Sequence, residues 1–268
     1  MIFKRIALSE KYPDAYLDTF VSETAAVCDG LLVIPGGGYG GVCADREGAP
    51  IAMAFAGRGV NCFVLHYTVA PHGRFPQQLI EAALAMQHIR THAAEYHVDP
   101  ARVFAVGFSA GGHLAASLGT LWHLPEVAAA LPGCDLRTTV RPIGMLLCYA
   151  VITAGKFAHE GSFENLLGSQ VQNPEKRELV SLEKQVTDGT CPAFLLHTTE
   201  DRTVPVENAL LMAAALSAAK IPFELHIYPH GPHGIALANA MTDMGNPALN
   251  LPEAAGWVDQ ALVWMKNQ

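Results

Sequence analysis

Gly107-Phe108-Ser109-Ala110-Gly111-Gly112 joins a strand-like apolar run, Val103-Phe104-Ala105-Val106, to a helix-like segment at residues 110–121. A serine in a G-x-S-x-G turn between strand and helix sits in a sharp, strained bend with its hydroxyl pointing out of the sheet. The flanking glycines are needed because a Cβ at either place would meet neighbouring backbone. The helix start offers the Ala110 amide to an oxygen that gains negative charge. This is the equipment of a nucleophile that attacks a carbonyl carbon.

Such a hydroxyl needs a base to take its proton, and the base needs an acid to orient it. Where a G-x-S-x-G turn does this work, acid and then histidine follow the serine along the chain, just past late strands. His197-Thr198-Thr199-Glu200-Asp201-Arg202-Thr203-Val204-Pro205 supplies the acid. Asp201 is the expected residue and Glu200 the alternative; a capping Asp before the next helix is the structural reading. Pro229-His230-Gly231-Pro232-His233-Gly234 supplies the base. His233 is expected, because Gly234 lets the turn present its ring, and His230 is the alternative. His226 lies within a strand and is expected to pack, as is His113, one turn into the helix after Ser109. His226, His230 and His233 share no helical face, and no carboxylate or Cys completes a shell, so no metal is expected. Activity should fall in acid as the base takes up a proton.

Pro35-Gly36-Gly37-Gly38-Tyr39-Gly40-Gly41 follows another short apolar strand. Successive glycines let backbone amides turn toward a bound oxygen. The expected oxyanion donors are Gly37, Gly38 and Ala110; Tyr39 is a further candidate amide and the expected substrate contact. The same stretch also reads G-x-G-x-x-G, a dinucleotide fingerprint. That reading requires a helix to open inside the motif and an acid to end the next strand. Instead Tyr39-Gly40-Gly41-Val42-Cys43 continues as loop, and the next strand ends Leu65-His66-Tyr67. No cofactor is expected.

Positioning these groups requires a scaffold. Apolar strand-like runs at residues 31–34, 61–65, 102–106, 143–152, 193–197 and 223–228 alternate with helical patterns at 49–56, 75–96, 110–121, 206–219 and 253–266. Asp99-Pro100 reads as a turn or cap before the third run. Strands without polar alternation, joined by helices, mean an α/β fold with a mostly parallel central sheet covered on both faces. Residues 123–142 and 153–191 break the alternation. The second is polar, with Glu175-Lys176-Arg177-Glu178, and is expected to be a cap or lid inserted over the sheet. Because the chemistry draws on residues 109, 201 and 233, a single domain over 1–268 is expected.

Half of the 268 residues are hydrophobic, which excludes a disordered chain. The balance of 17 basic and 25 acidic residues, −8 in all, disfavours nucleic acid as partner. No 18-residue uncharged apolar run is present, so no membrane span is expected. Residues 1–6 lack the apolar stretch of a signal peptide. The cysteines at 28, 43, 62, 134, 148 and 191 form no C-x-x-C pair and are expected to be reduced, in the cytoplasm. Monomer and homodimer both stay open.

Together these residues resemble an α/β-hydrolase-fold carboxylesterase. More narrowly, the chain is similar to the bacterial acetylesterase or acetyl-xylan-esterase-like group, including xylanase-associated and feruloyl-type esterases. The matching stretches are Pro35 to Tyr39, Tyr67 to Pro71 with Phe75-Pro76, Gly107 to Ala115, Ser181 to Val186, His197 to Pro205 and Gly231 to Gly234. Leu182, where the group often has Pro, and Cys191-Pro192, in place of Pro-Pro, depart from it. The resemblance implies hydrolysis of short, acetyl-type esters, including those of sugars or xylan fragments. A small-molecule ester is then the expected partner. The same fold also carries peptidases, amidases and inactive binding proteins. The polar residues Lys156, His159 and Glu160 would suit a sugar.

Overall fold

The computed structural model describes residues 2–23 and 26–268. The chain opens with β1 (Arg5–Ala7), β2 (Tyr16–Phe20) and β3 (Cys28–Ile34). Helices α1 (Ala44–Glu47) and α2 (Ala49–Ala56), then β4 (Asn61–His66) and α3 (Gln77–Thr91), follow. Next come β5 (Val98–Phe108), α4 (Ala110–Thr120), α5 (Pro125–Ala130), α6 (Leu136–Thr139) and β6 (Met145–Cys148). The rest holds α7 (Glu160–Leu167), α8 (Pro174–Leu179), β7 (Ala193–Thr198), α9 (Glu207–Ala218), β8 (Phe223–Tyr228) and α10 (Trp257–Lys266).

Among the described residues these strands form one eight-stranded sheet in the order β1-β2-β4-β3-β5-β6-β7-β8. From β4 to β8 every pairing is parallel, while β1 and β2 pair antiparallel at the edge. The α/β fold class with a mostly parallel sheet follows directly from the apolar runs. Successive residues of β3 face opposite sides, Leu31 and Val33 to one and Leu32 and Ile34 to the other. Both sides are buried, so neither can be polar. Helices α3, α4 and α9 cover one face, and α2 and α10 the other.

Several boundaries differ from expectation. Strands β1 and β2 carry no apolar run: β2 reads Tyr-Leu-Asp-Thr-Phe, half-buried and alternating. Its register is set by β4, with Tyr16 stacked on His66 across the pair, ring centroids 4.2 Å apart. The long helix starts at Gln77 rather than 75 and stops at Thr91 rather than 96. Beyond Thr91 the chain turns, and the Tyr96 ring packs edge-on against Phe63 while its hydroxyl meets His88 Nε2 at 2.9 Å. Asp99-Pro100 lies inside β5, where Asp99 Oδ1 accepts the Ala101 N–H and the pairing with β3 shifts register.

Residues 153–191 hold α7 and α8 and pack on the edge of the site. Arg177 ties this excursion together: its guanidinium pairs with both carboxylate oxygens of Glu160 at 2.8 and 2.9 Å and donates to the Ala154 carbonyl. Asn173 caps α8 by accepting the Glu175 and Lys176 amides. The underside is apolar, with Phe163, Leu166, Val180 and Leu182 buried, so the exposed polar residues are only its outer face.

Candidate active site

Parallel pairing brings the C-terminal ends of β5, β7 and β8 to one edge of the sheet, and each end leads into one of the expected chemical groups. After β5 the backbone turns at Ser109 with φ 53° and ψ −121°, a sparsely populated conformation for a residue with a side chain. Three backbone hydrogen bonds hold it there. The Ser109 N–H donates to Cys148, and the Ser109 carbonyl accepts from Val151 and His113. A Cβ on Gly111 would lie 2.1 Å from the Ile34 carbonyl oxygen, so only glycine lets the new helix pass this close to β3.

Ser109 Oγ lies 2.8 Å from His233 Nε2, and His233 Nδ1 lies 2.6 Å from Asp201 Oδ2. The other Asp201 oxygen accepts the Thr203 and Val204 amides, each at 2.9 Å. The Asp201 carboxylate is fully buried, and the His233 side chain is 17% exposed. Glu200 points elsewhere, to His230 at 3.1 Å and to the Gly231 amide. His226 meets Glu224 on the edge strand and lies against Phe194. The three histidines thus have three different carboxylate partners. Among the described residues no cluster of His, Cys, Asp or Glu could hold a metal ion.

Gly37, Gly38, Ser109 and His233 line one cleft of about 270 Å³, with Cys43, Arg46, Glu47, His159 and Thr203. The hydrogen bonds of the glycine loop sort its amides. Gly36 donates to Glu47 Oε2 at 2.8 Å and is occupied. The Gly37 carbonyl accepts the Gly40 and Gly41 amides, so the Gly38 N–H, trans to it, points away from that turn. The Gly38 carbonyl accepts from Asn165 Nδ2 of α7 at 2.9 Å. Gly37 has φ +126°, and a Cβ there would lie 2.3 Å from the Gly41 oxygen, so the turn itself demands glycine.

Tyr39 does not meet the expectation of a substrate contact. Its side chain is 1% exposed, packed in the core against Tyr67, with its hydroxyl 2.8 Å from His113 Nδ1. A large ring one residue past the glycines is driven into the apolar layer beneath the loop. His113 behaves as a buried packing residue, as expected. Its Nδ1 accepts from Tyr39, and its Nε2–H donates to the Val180 carbonyl at 2.9 Å. One imidazole therefore ties together the glycine loop, the elbow helix and the excursion over the site.

Burial pushes the His113 imidazole down to about 4, so it is neutral in the fold at pH 7. An unfolded chain takes up this proton near pH 6.5, which the folded chain refuses. Stability is therefore complete above about pH 6.5, is lost as pH falls toward 4, and loses no more below that. From pH 7.5 to 5 this one group should withdraw about 2 kcal/mol. Urea unfolding at both pH values should find His113→Gln keeping about that much more of its pH 7.5 stability than the wild type keeps. Equal pH dependence in both proteins would refute this.

The sequence pattern of the BD-FAE family matches residues 17–216. The chain belongs to the BD-FAE family. Its members are α/β-hydrolase esterases, and the match includes Ser109 and Asp201 but ends before His233. An endo-1,4-beta-xylanase B from Butyrivibrio fibrisolvens is 43% identical over 217 residues, 79% of this chain and 33% of the xylanase. An acetylxylan esterase from Xylanibacter ruminicola is 28% identical over 233 residues, 83% of this chain and 45% of that protein. The chain thus spans less than half the length of these curated relatives. An acetyl ester-xyloside bifunctional hydrolase from Caldicellulosiruptor lactoaceticus superposes with a TM-score of 0.83 at 33% identity, over 98% of this chain and 96% of that one.

Around the three groups, this BD-FAE chain places Arg46, Glu47 and Tyr149, which pattern reading did not single out for the site. Glu47 is buried under the cleft, accepting from Gly36 and from the Tyr149 hydroxyl at 2.9 Å. Arg46 Nη2 lies 3.5 Å from it, and Arg46 Nη1 donates to the Gly234 carbonyl beside His233. The Tyr149 ring meets the His233 ring edge-on, centroids 5.1 Å apart, and burial keeps its phenol protonated. The signal available was an Arg-Glu pair one turn after the glycine loop, indistinguishable in sequence from a solvated surface pair. His159 reaches the cleft from the excursion, with Nδ1 2.8 Å from Ser162 Oγ. Burial, and then its proximity to His233, push the His159 imidazole below its ordinary value. Among the described residues no helix is long and apolar enough to cross a membrane.

Proposed function

We propose that the protein is a serine carboxylesterase for small-molecule, short-chain acetyl-type esters, acetylated sugars or xylan fragments among them. The observation that carries this reading is the unbroken hydrogen-bonded line from Ser109 Oγ through His233 to a buried Asp201. In this reading His233 Nε2 takes the Ser109 proton as Oγ bonds to the ester carbonyl carbon. Asp201 holds the Nδ1–H tautomer and stabilises the imidazolium. The amides of Gly37 or Gly38 and of Ala110 receive the oxyanion. Gly36 is excluded, since Glu47 already holds its amide. The carbon–oxygen bond to the alcohol then breaks, and that oxygen leaves with the proton from His233. A water, deprotonated by His233, adds to the acyl carbon; the acid departs and Oγ regains its proton.

The size of the 270 Å³ cleft, walled by glycine backbone, Cys43 and Thr203, favours a small acyl group. Acetyl as that group is supported by the acetylxylan esterase and acetyl ester-xyloside hydrolase among the chain's relatives. We take the chain to act as one catalytic domain with residues 153–191 as its cap. Six free thiols support a reducing, cytoplasmic setting. A fluorophosphonate should label the protein once, at Ser109, and block hydrolysis of p-nitrophenyl acetate in proportion. A protein that neither reacts with the probe nor turns over the ester would sink the reading.

A further inference from the structure

Arg46 and Glu47, consecutive residues of the short helix α1, reach two different loops of the site. Glu47 Oε2 accepts the Gly36 amide at 2.8 Å, and its Oε1 accepts the Tyr149 hydroxyl at 2.9 Å. The same hydroxyl oxygen accepts the Ala236 amide at 3.1 Å, in the segment that follows His233. Arg46 Nη1 donates to the Gly234 carbonyl at 2.9 Å, directly beside His233. Gly36 starts the glycine run whose next amides are the proposed oxyanion donors. One short helix is therefore fastened both to that run and to the segment that carries the base.

The segment after His233 needs such contacts. Gly234, Ala236 and Ala238 have φ of +82°, +48° and +55°, and an alanine keeps a left-handed backbone only where its surroundings over-determine it. Besides Arg46 and the Tyr149 hydroxyl, Trp257 Nε1 holds this segment, donating to the Ala236 carbonyl at 2.9 Å. A Cβ on Gly234 would lie 2.6 Å from Arg46 Nη2, so glycine is what admits the guanidinium here. Arg46 and Glu47 approach to 3.5 Å with side chains 19% and 2% exposed, at the wall of the cleft. A buried ion pair adds little net stability over apolar packing, because desolvation offsets its attraction. Between two loops of a site it can instead fix their separation.

We propose that Arg46 and Tyr149, joined through Glu47, are positioning residues that hold the His233 imidazole in register with the oxyanion loop. The proposal rests on the esterase reading above. Each residue acts through the backbone of a loop, and a displacement of about 1 Å at a reacting group can cost about a hundredfold in rate. The cost falls unequally on different esters. His233 must take the Ser109 proton whatever the ester, but it must also hand a proton to an alkoxide as it leaves. p-Nitrophenolate is stable enough as an anion to leave without one. A displaced His233 therefore slows an alkyl ester more than a p-nitrophenyl ester, whereas a loss of folded protein slows both alike.

The readout is the ratio of kcat/KM for ethyl acetate to that for p-nitrophenyl acetate, in variants checked by thermal melting. Tyr149→Phe keeps the ring that meets His233 edge-on and removes only the hydroxyl. Arg46→Met keeps the reach of the side chain and removes the donor to Gly234. Each should lower the ratio about tenfold. Glu47→Gln loosens both loops, and should lower kcat/KM for p-nitrophenyl acetate as well as the ratio. An unchanged ratio in one folded variant removes that residue from the device. An unchanged ratio in both Tyr149→Phe and Arg46→Met, or an equal loss on both esters, overturns the proposal while leaving the esterase reading standing. Failure of both to fold would give these contacts a purely structural role and overturn it too. A wild type that cleaves neither ester overturns the esterase reading, and the positioning role with it.

Discussion

Ser109→Ala is expected to lower kcat for p-nitrophenyl acetate by about a millionfold while leaving the protein folded. The two halves of that expectation have separate causes. Among the described residues Ser109 Oγ makes a single hydrogen bond, to His233 Nε2, and the His233 ring borders the cleft, where water can replace the lost hydroxyl. The strained backbone at φ 53° is held by Cys148, Val151 and His113 through main-chain bonds, which alanine keeps. What disappears is the only step that divides the reaction through an acyl-enzyme. The backbone donors of the glycine loop and elbow remain, so about a thousandfold advantage over water should survive. Stopped-flow and long-time assays on protein checked by thermal melting will measure this. A folded variant retaining a tenth of wild-type activity would move the nucleophile elsewhere.

Asp201→Asn should cost about ten-thousandfold in kcat with little change in KM. The surroundings of Asp201 dictate how an amide would sit there. The Thr203 and Val204 amides both donate to Oδ1, so the asparagine oxygen must occupy that place. Its NH₂ then faces His233 Nδ1, where the carboxylate had accepted at 2.6 Å. A donor there forces the proton onto Nε2, which then points an N–H at Ser109 instead of a lone pair. Geometry survives while the base is lost. The pH–rate profile and KM should confirm that binding is intact. A loss of less than tenfold would show that Asp201 does not set the tautomer.

The reach of the sequence differs from element to element. The elbow was legible because its demands are local: a strained turn, a Cβ-free passage past β3 and a helix start all fall within six residues. The apolar strands of the parallel sheet were legible because burial on both faces leaves no polar alternation. Strands β1 and β2 escaped notice because β1 is a three-residue, largely exposed edge strand and β2 a five-residue strand interrupted by Asp18 and Thr19, and neither has such a signature. β2 depends on pairing with β4, more than 40 residues later in the chain, and β1 on pairing with β2 in turn. The helix expected over 75–96 was overlong because helical spacing continues past Thr91, whereas packing of Tyr96 on Phe63 turns the chain.

Within the candidate site, residue types and chain order singled out Ser109, Asp201 and His233, and the glycine run marked a loop in which amides could face a ligand. Which amide is free, and where Tyr39 goes, were matters for the tertiary structure. Glu47, distant from Ser109 in sequence, takes the Gly36 amide; Asn165 from α7 takes the Gly38 carbonyl; the core takes the Tyr39 ring. The contacts from Ser109 to His233 and from His233 to Asp201 span 124 and 32 residues of chain. Sequence records constraints that act over one turn of backbone, because there the residue type alone decides what fits. Contacts of that length are set by sheet register and by competition for space in the core, and those exist only once the whole sheet has formed.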